Sequence, residues 1–216
     1  MKVLKKISEL NRKRKWKLFL NLIKPDKDDT ILDVGFNETE YSHVDNFLEK
    51  NYQYPEKITA LGLKEANEFA YRYPKVNTVK YDGRIFPFGD KNFDICWSNA
   101  VLEHVGNREK QIFFIKEITR VSKSAYITTP NIFFPIEVHT RVPLLHYLPK
   151  KIFDKILPIF GKSWATGNYM HLLSKKELKD ILKEAGVSSY RIIENKLLFF
   201  TLDFVIIWGE KTFCSD

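Results

Sequence analysis

Apolar positions along the chain fall into two kinds of block. Short, nearly continuous apolar runs at Thr30–Asn37, Ile58–Leu61, Phe93–Trp97 and Ala125–Pro130, and the more polar run Val76–Tyr81, are bounded by Gly, Pro, Asn or Asp. Runs of that length without alternation read as strands buried on both faces. Between them lie segments of helical period: Thr39 to Lys50, Glu65 to Tyr71, and Glu109 to Val121, the last with Ile112, Phe113, Ile115, Ile118 and Val121 on one face. Strands alternating with helices predict a parallel sheet with right-handed crossovers, an α/β doubly wound fold. Near the end, Ser174 caps a predicted helix over Lys175–Glu184 that Gly186 stops. Val187–Leu197 and Leu202–Trp208 then read as two final strands.

The first 24 residues follow another pattern. Val3, Ile7 and Leu10 share one helical face, and Trp16, Phe19, Leu20 and Ile23 share another. Asn11 to Lys15 offers no apolar position, so two helices, 2–10 and 16–23, are expected with a broken or exposed join, and Pro25 ends the second. This stretch carries nine Lys or Arg against Glu9 alone, an excess of eight that equals the formal net charge of the whole chain, +8. The domain body is therefore neutral. A basic N-terminal helical arm (1–24) fits a solvated helix face packed on the body. Contact with an anionic membrane surface, or with nucleic acid, is the other use of such charge. A nucleic-acid enzyme would more often spread basic residues around its cleft, which makes nucleic acid the weaker expectation.

Composition adds bounds. A chain of 216 residues, 44% hydrophobic and 14% aromatic, suffices for one α/β domain with a modest insertion and a full core. Two cysteines, Cys96 in a predicted buried strand and Cys214, make no disulfide framework and suit a reducing, cytoplasmic setting. No apolar run reaches the roughly 20 residues of a membrane span. A cytoplasmic protein, peripheral to the membrane at most, is expected.

Candidate chemistry gathers at residues 81–105. Asp82-Gly83 and Pro87-Phe88-Gly89-Asp90 are turn clusters, and Phe93–Trp97 a buried strand that Ser98-Asn99 opens at its carboxyl end. In open α/β sheets ligands bind at that end. Asp82, Pro87-Phe88, Phe93-Asp94 and Leu102-Glu103-His104 together resemble the signature of class I methyltransferases that use S-adenosylmethionine (SAM), of the type 11 kind. The likeness extends to Ile31-Leu-Asp-Val-Gly35, which matches the first half of the family's Asp-x-Gly-x-Gly-x-Gly loop, and covers about residues 25–210 of an expected methyltransferase domain over 25–216. It implies a Rossmann-like methyltransferase fold: a mostly parallel seven-stranded sheet, an antiparallel last strand, and helices on both faces. It also implies SAM as cofactor and S-adenosylhomocysteine (SAH) as product. Asp33, Gly35, Phe36, Asn37, Gly62, Leu63, Asp82, Gly83, Ser98 and Asn99 would hold the cofactor. Asp82 would accept from the adenine amino group, and Ser98 and Asn99 would lie beside the methionine portion. His104, at the family's recurrent histidine, is expected to hold its loop.

Two departures stand out. Asn37 and Thr39 replace glycines of the loop; Asn tolerates left-handed backbone, and Thr39 would serve as a helix N-cap. Gly62 stands where the family places an acid that binds both ribose hydroxyls. Losing one charged acceptor costs roughly 1.5–3 kcal/mol. Glu65, three residues on, is the nearest substitute.

Residues 132–170 form an insertion rich in Pro and aromatics at the expected active-site edge, a length typical of lids and binding loops. Its Thr-Pro-Asn, Glu-x-His-Thr and Leu-His-x-Leu-Pro runs resemble a bacterial subgroup of these methyltransferases. A base near neutral pH is needed to deprotonate an acceptor hydroxyl or amine, which suits histidine. His139 is the candidate base with Glu137 behind it, and His104, His146, Tyr169 and His171 are candidates to line an acceptor pocket. The spacing of the histidines is not that of a helical metal-ligand pair, so no metal is expected. The chain lacks the Asn/Asp-Pro-Pro-Tyr/Phe quartet of adenine and glutamine N-methyltransferases, and Cys96 lies inside a strand, misplaced for a cytosine C5 nucleophile. The expected activity is methyl transfer to O or N of a small-molecule or lipid-linked acceptor. A degenerate fold kept as a binding scaffold and an RNA methyltransferase are the alternatives.

Overall fold

The computed structural model describes residues 2–135, 150–161, 163, 166 and 171–212. Glu137, His139, His146 and Tyr169 lie outside them. The elements in order are α1 (Lys2–Ile23), β1 (Ile31–Val34), α2 (Phe47–Asn51), β2 (Ile58–Gly62), α3 (Asn67–Arg72), β3 (Asn77–Lys80), β4 (Phe93–Asn99), α4 (Arg108–Val121), β5 (Ser122–Pro130), α5 (Lys150–Ile156), α6 (Lys175–Glu184), β6 (Arg191–Leu197) and β7 (Phe200–Gly209). The strands make one seven-stranded sheet in the order β3-β2-β1-β4-β5-β7-β6. It is mostly parallel with antiparallel final strands, as expected for the doubly wound class.

Contacts group the chain into two compact units. The first comprises Met1–Asn99, Glu117–Ile127 and Ile207–Asp216. Here β1 pairs in parallel with β2 (Ile31 opposite Ile58, Val34 opposite Leu61) and with β4 (Ile31 opposite Ile95). β2 pairs in parallel with β3. Ile31, Leu32, Ile58, Leu61 and Ile95 are fully buried, which explains why these strands lack alternation.

One continuous helix, α1, replaces the two expected at the N-terminus. Lys and Arg are good helix formers, and the Lys13–Glu9 pair (2.6 Å) bridges one turn, so a polar stretch without Pro or Gly has no reason to break. The join is not exposed throughout either: Lys15 is buried, and its carbonyl accepts from the Tyr126 hydroxyl of β5 at 2.7 Å. Phe19, fully buried, meets Trp97 edge-on (4.8 Å between ring centroids) and Tyr126 (5.3 Å).

The helix expected from Thr39 to Lys50 shrinks to α2. Asn46 adopts a left-handed backbone (φ 48°), and the Asp45 carboxylate accepts from the Tyr41 and Ser42 N–H groups, a turn that competes with helix. Thr39 therefore caps no helix; its hydroxyl donates to Glu68 at 3.2 Å.

The second unit comprises Ala100–Lys116 and Thr128–Ile206. The Leu-Glu-His signature forms a single 3-10 turn, Leu102–His104. Positive φ at Ala100 (58°) and Gly106 (116°) breaks the chain on either side. Asn107 then opens α4 by accepting from the Lys110 N–H. In α4, Phe114 is the buried aromatic and Phe113 is exposed, opposite to the expected face. Ser174 caps α6 with a full capping box through Glu177, as its spacing predicts. β6 starts at Arg191 rather than Val187, whose N–H still bonds the Leu182 carbonyl behind α6.

Candidate cofactor and acceptor sites

Within the first unit, the carboxyl ends of β1, β2, β3 and β4 bring ten sequence-predicted residues together. Gly35 leaves β1 with φ 98°, a conformation glycine alone adopts freely, and its N–H bonds the Leu61 carbonyl at 3.0 Å. The loop that follows is clipped shut: the Asn37 N–H donates to the Asn46 side chain and the Asn46 amide donates back to the Asn37 carbonyl, both 2.8 Å. The left-handed residue of this loop is thus Asn46, not Asn37. Glu38 and Glu40 tie the loop outward. Glu38 accepts from the Glu68 and Phe69 N–H groups at the start of α3, and Glu40 bonds Asn46, Lys50 and Tyr73.

At the ends of β2 and β3, the Gly62 carbonyl accepts from the Tyr81 N–H at 3.0 Å, which sets Gly62-Leu63 beside Tyr81-Asp82-Gly83. Asp82 is exposed, and one of its oxygens accepts from the Arg84 N–H to make a turn. The Leu63 side chain comes within 3.3 Å of where a Gly83 side chain would begin. The Pro87-Phe88 signature beyond it is held by Arg120, whose guanidinium donates to the Phe86 and Phe88 carbonyls and pairs with Glu117 at 2.7 Å and Asp90 at 3.1 Å. Sequence reasoning missed Arg120; its spacing of three from Glu117 was the available signal. The Ser98 hydroxyl, fully buried, donates to the Val34 carbonyl at 3.3 Å and ties β4 to the end of β1.

Two signature acids have opposite electrostatics. Asp33 is 5% exposed and shares a hydrogen bond with Glu49 of α2, also 5% exposed. Burial, then the adjacent Glu49 charge, push the Asp33 carboxyl well above its ordinary range, with the Arg12 guanidinium of α1 acting weakly the other way. Burial raises Glu49 as well, against the bond from Asp33. Oε1 of Glu49 is buried without a hydrogen-bond partner. Asp94, the acid of the Phe-Asp signature, lies near the start of β4. Its carboxylate accepts from the Thr30 N–H and hydroxyl and from Lys123 at 2.8 Å. Burial raises it, but those bonds outweigh burial and hold it at about 2.

The second unit places the other two histidine candidates. Glu103 is fully buried, accepts from the Thr129 hydroxyl at 3.0 Å, and lies 3.9 Å from the His104 ring. The His171 N–H donates to the Glu103 carbonyl at 2.7 Å, and Gln111 bridges the Leu102 and His171 carbonyls. The Leu-Glu-His turn and the return of the insertion are thus fastened together, main chain to main chain. Both imidazoles remain partly exposed. Among the described residues no three His, Cys, Asp or Glu groups gather as metal ligands.

Residues 47–125 match the family model of the methyltransferase domain. The fold is shared with a SAM-dependent methyltransferase of Methanosarcina mazei (22% identity, 88% of this chain and 95% of that one, TM-score 0.55). It is shared too with a SAM-dependent methyltransferase of Aquifex aeolicus (17%, 91% and 96%, TM-score 0.51) and with the SAH-bound N-terminal domain of EvdMO1 (17%, 92% and 80%, TM-score 0.55). No protein of curated function matches the sequence. Residues 47–125 are thus similar to a methyltransferase domain, and the sheet is one shared with SAM-dependent methyltransferases, whose cofactor is SAM. No helix among the described residues is long and apolar enough to cross a membrane.

Proposed function

We propose that the protein transfers the methyl group of SAM to an oxygen or nitrogen of a small-molecule or lipid-linked acceptor. The observation that carries this reading is the convergence at three strand ends of Gly35, Asp82-Gly83 and Ser98-Asn99. An exposed acid beside a free-standing turn suits the adenine amino group, and the positive-φ glycine leaves main chain open to close approach. When bound, SAM supplies a methyl group already activated by its sulfonium. The protein's share is then orientation and exclusion of water. The Asn37–Asn46 clip and the Glu38 and Glu40 ties hold the loop in one shape before any ligand arrives. His139 is assigned as the base that takes the acceptor proton, with Glu137 orienting it; turnover unchanged in His139→Ala would remove that assignment.

Calorimetric titration with SAM and SAH tests the reading. Micromolar binding that weakens about 10- to 100-fold in Asp82→Ala, the cost of one charged hydrogen bond, is expected. A folded protein that binds neither ligand at millimolar concentration would instead favour a non-catalytic scaffold, a reading that the aromatic ring over Gly62 keeps in play.

A further inference from the structure

Among the four strand ends, that of β2 is built differently. Gly62 ends the strand buried, and a Cβ placed there would meet Phe36 at 2.6 Å (Cε1) and 2.9 Å (Cζ). Real side chains do not approach so closely, so any larger residue at position 62 requires the Phe36 ring to leave. The ring is not loosely held. It packs on the fully buried Phe69 of α3 at 4.3 Å between centroids, and Phe69 packs on Tyr73 at 5.0 Å. Phe36 thus fills the volume in which a longer side chain from the end of β2 would run.

The neighbouring carboxylates are engaged elsewhere. Glu38 accepts from two N–H groups of α3, at 2.7 and 3.2 Å. Glu40 bonds Lys50 at 2.7 Å, Tyr73 at 2.5 Å and Asn46 at 3.0 Å. Glu65, the substitute suggested by sequence, pairs with Lys80 at 2.5 Å. Each is held by a bond to another part of the chain.

We infer that Phe36 and Gly62 are a specificity-determining pair: they offer the cofactor's ribose an aromatic face in place of a carboxylate, leaving its 2′- and 3′-hydroxyls without a charged acceptor. Recognition then rests on the adenine and methionine ends. A site that hydrogen-bonds a hydroxyl rejects the analogue lacking it, because its own buried acceptor is left unpaired; an apolar wall imposes no such penalty. The inference rests on the SAM-site reading above.

The test is calorimetry of the intact protein with SAH and its 2′-deoxy and 3′-deoxy analogues. Dissociation constants within about threefold of one another are expected, since no charged bond is lost. Either deoxy analogue binding at least about tenfold more weakly overturns the inference and leaves the SAM site standing. No binding of SAH itself overturns the SAM reading and the inference with it. Phe36→Gly combined with Gly62→Asp removes the ring and supplies the acid. If this double variant melts cooperatively, it should prefer SAH over the deoxy analogues by about tenfold or more; a folded double variant without that gain also overturns the inference. Should it fail to fold, the wild-type ratio still decides.

Discussion

Asp33 and Asp94 lie on neighbouring strands of one parallel ladder, yet their carboxyls are driven in opposite directions. Asp94 begins β4 at the amino edge, where Thr30 and Lys123 satisfy it. Asp33 lies two residues further along β1 than Ile31, toward the carboxyl edge, and its nearest charged partner is another acid. The amino edge is built for stability there, whereas the carboxyl edge keeps a carboxyl in an unfavourable setting. Perturbed groups of that kind concentrate at working sites, and the same residue type serves either purpose according to its neighbours.

Asp94→Asn should have the larger effect on stability. Its carboxyl titrates at about 2 in the folded protein, below the ordinary range, so its contribution is present above pH 4 and is lost as the pH falls toward 2. After allowance for solvent screening, a loss of roughly 1–2 kcal/mol at pH 7 is expected, vanishing near pH 2. Urea unfolding at the two pH values measures it; an equal loss at both would break the contrast. Glu49→Gln should do the reverse on a smaller scale. With Asp33 raised, the folded state holds its proton more tightly than the unfolded chain, so stability falls as the pH rises from the ordinary carboxylate range. The amide removes that charge coupling, and a gain on the order of 1 kcal/mol at pH 8, absent at pH 4, is expected. A destabilised variant at pH 8 would show that the pair is fully compensated.

The sheet was legible in the sequence because buried parallel strands are spelled as unbroken apolar runs, as in Ile31–Val34 and Phe93–Trp97. The cap of α6 was legible for a similar reason, since Ser174 and Glu177 are near in the chain. Features set by contact across space were not. Gly62 could be recognised as lacking an acid, but nothing nearby in sequence says that the Phe36 ring lies over it. The shortening of α2 turns on the left-handed Asn46, a backbone state that many residues could have carried. The polar join inside α1 looked like a break because only its apolar positions were counted, while its helix-forming cations and the Tyr126 contact decided otherwise. For Glu137, His139, His146 and Tyr169 the sequence remains the whole argument.

The docking of α1 also bears on how the chain is made. The Tyr126 hydroxyl that meets the Lys15 carbonyl is 111 residues further along. At roughly 5–20 residues per second, a ribosome takes on the order of 5–20 s to deliver it. During that interval the apolar face of Phe19 and Ile23 has no Tyr126 to close on, while the cations of the same helix keep the nascent segment soluble. Docking of the first helix is therefore completed late in synthesis, on a strand made 111 residues after it.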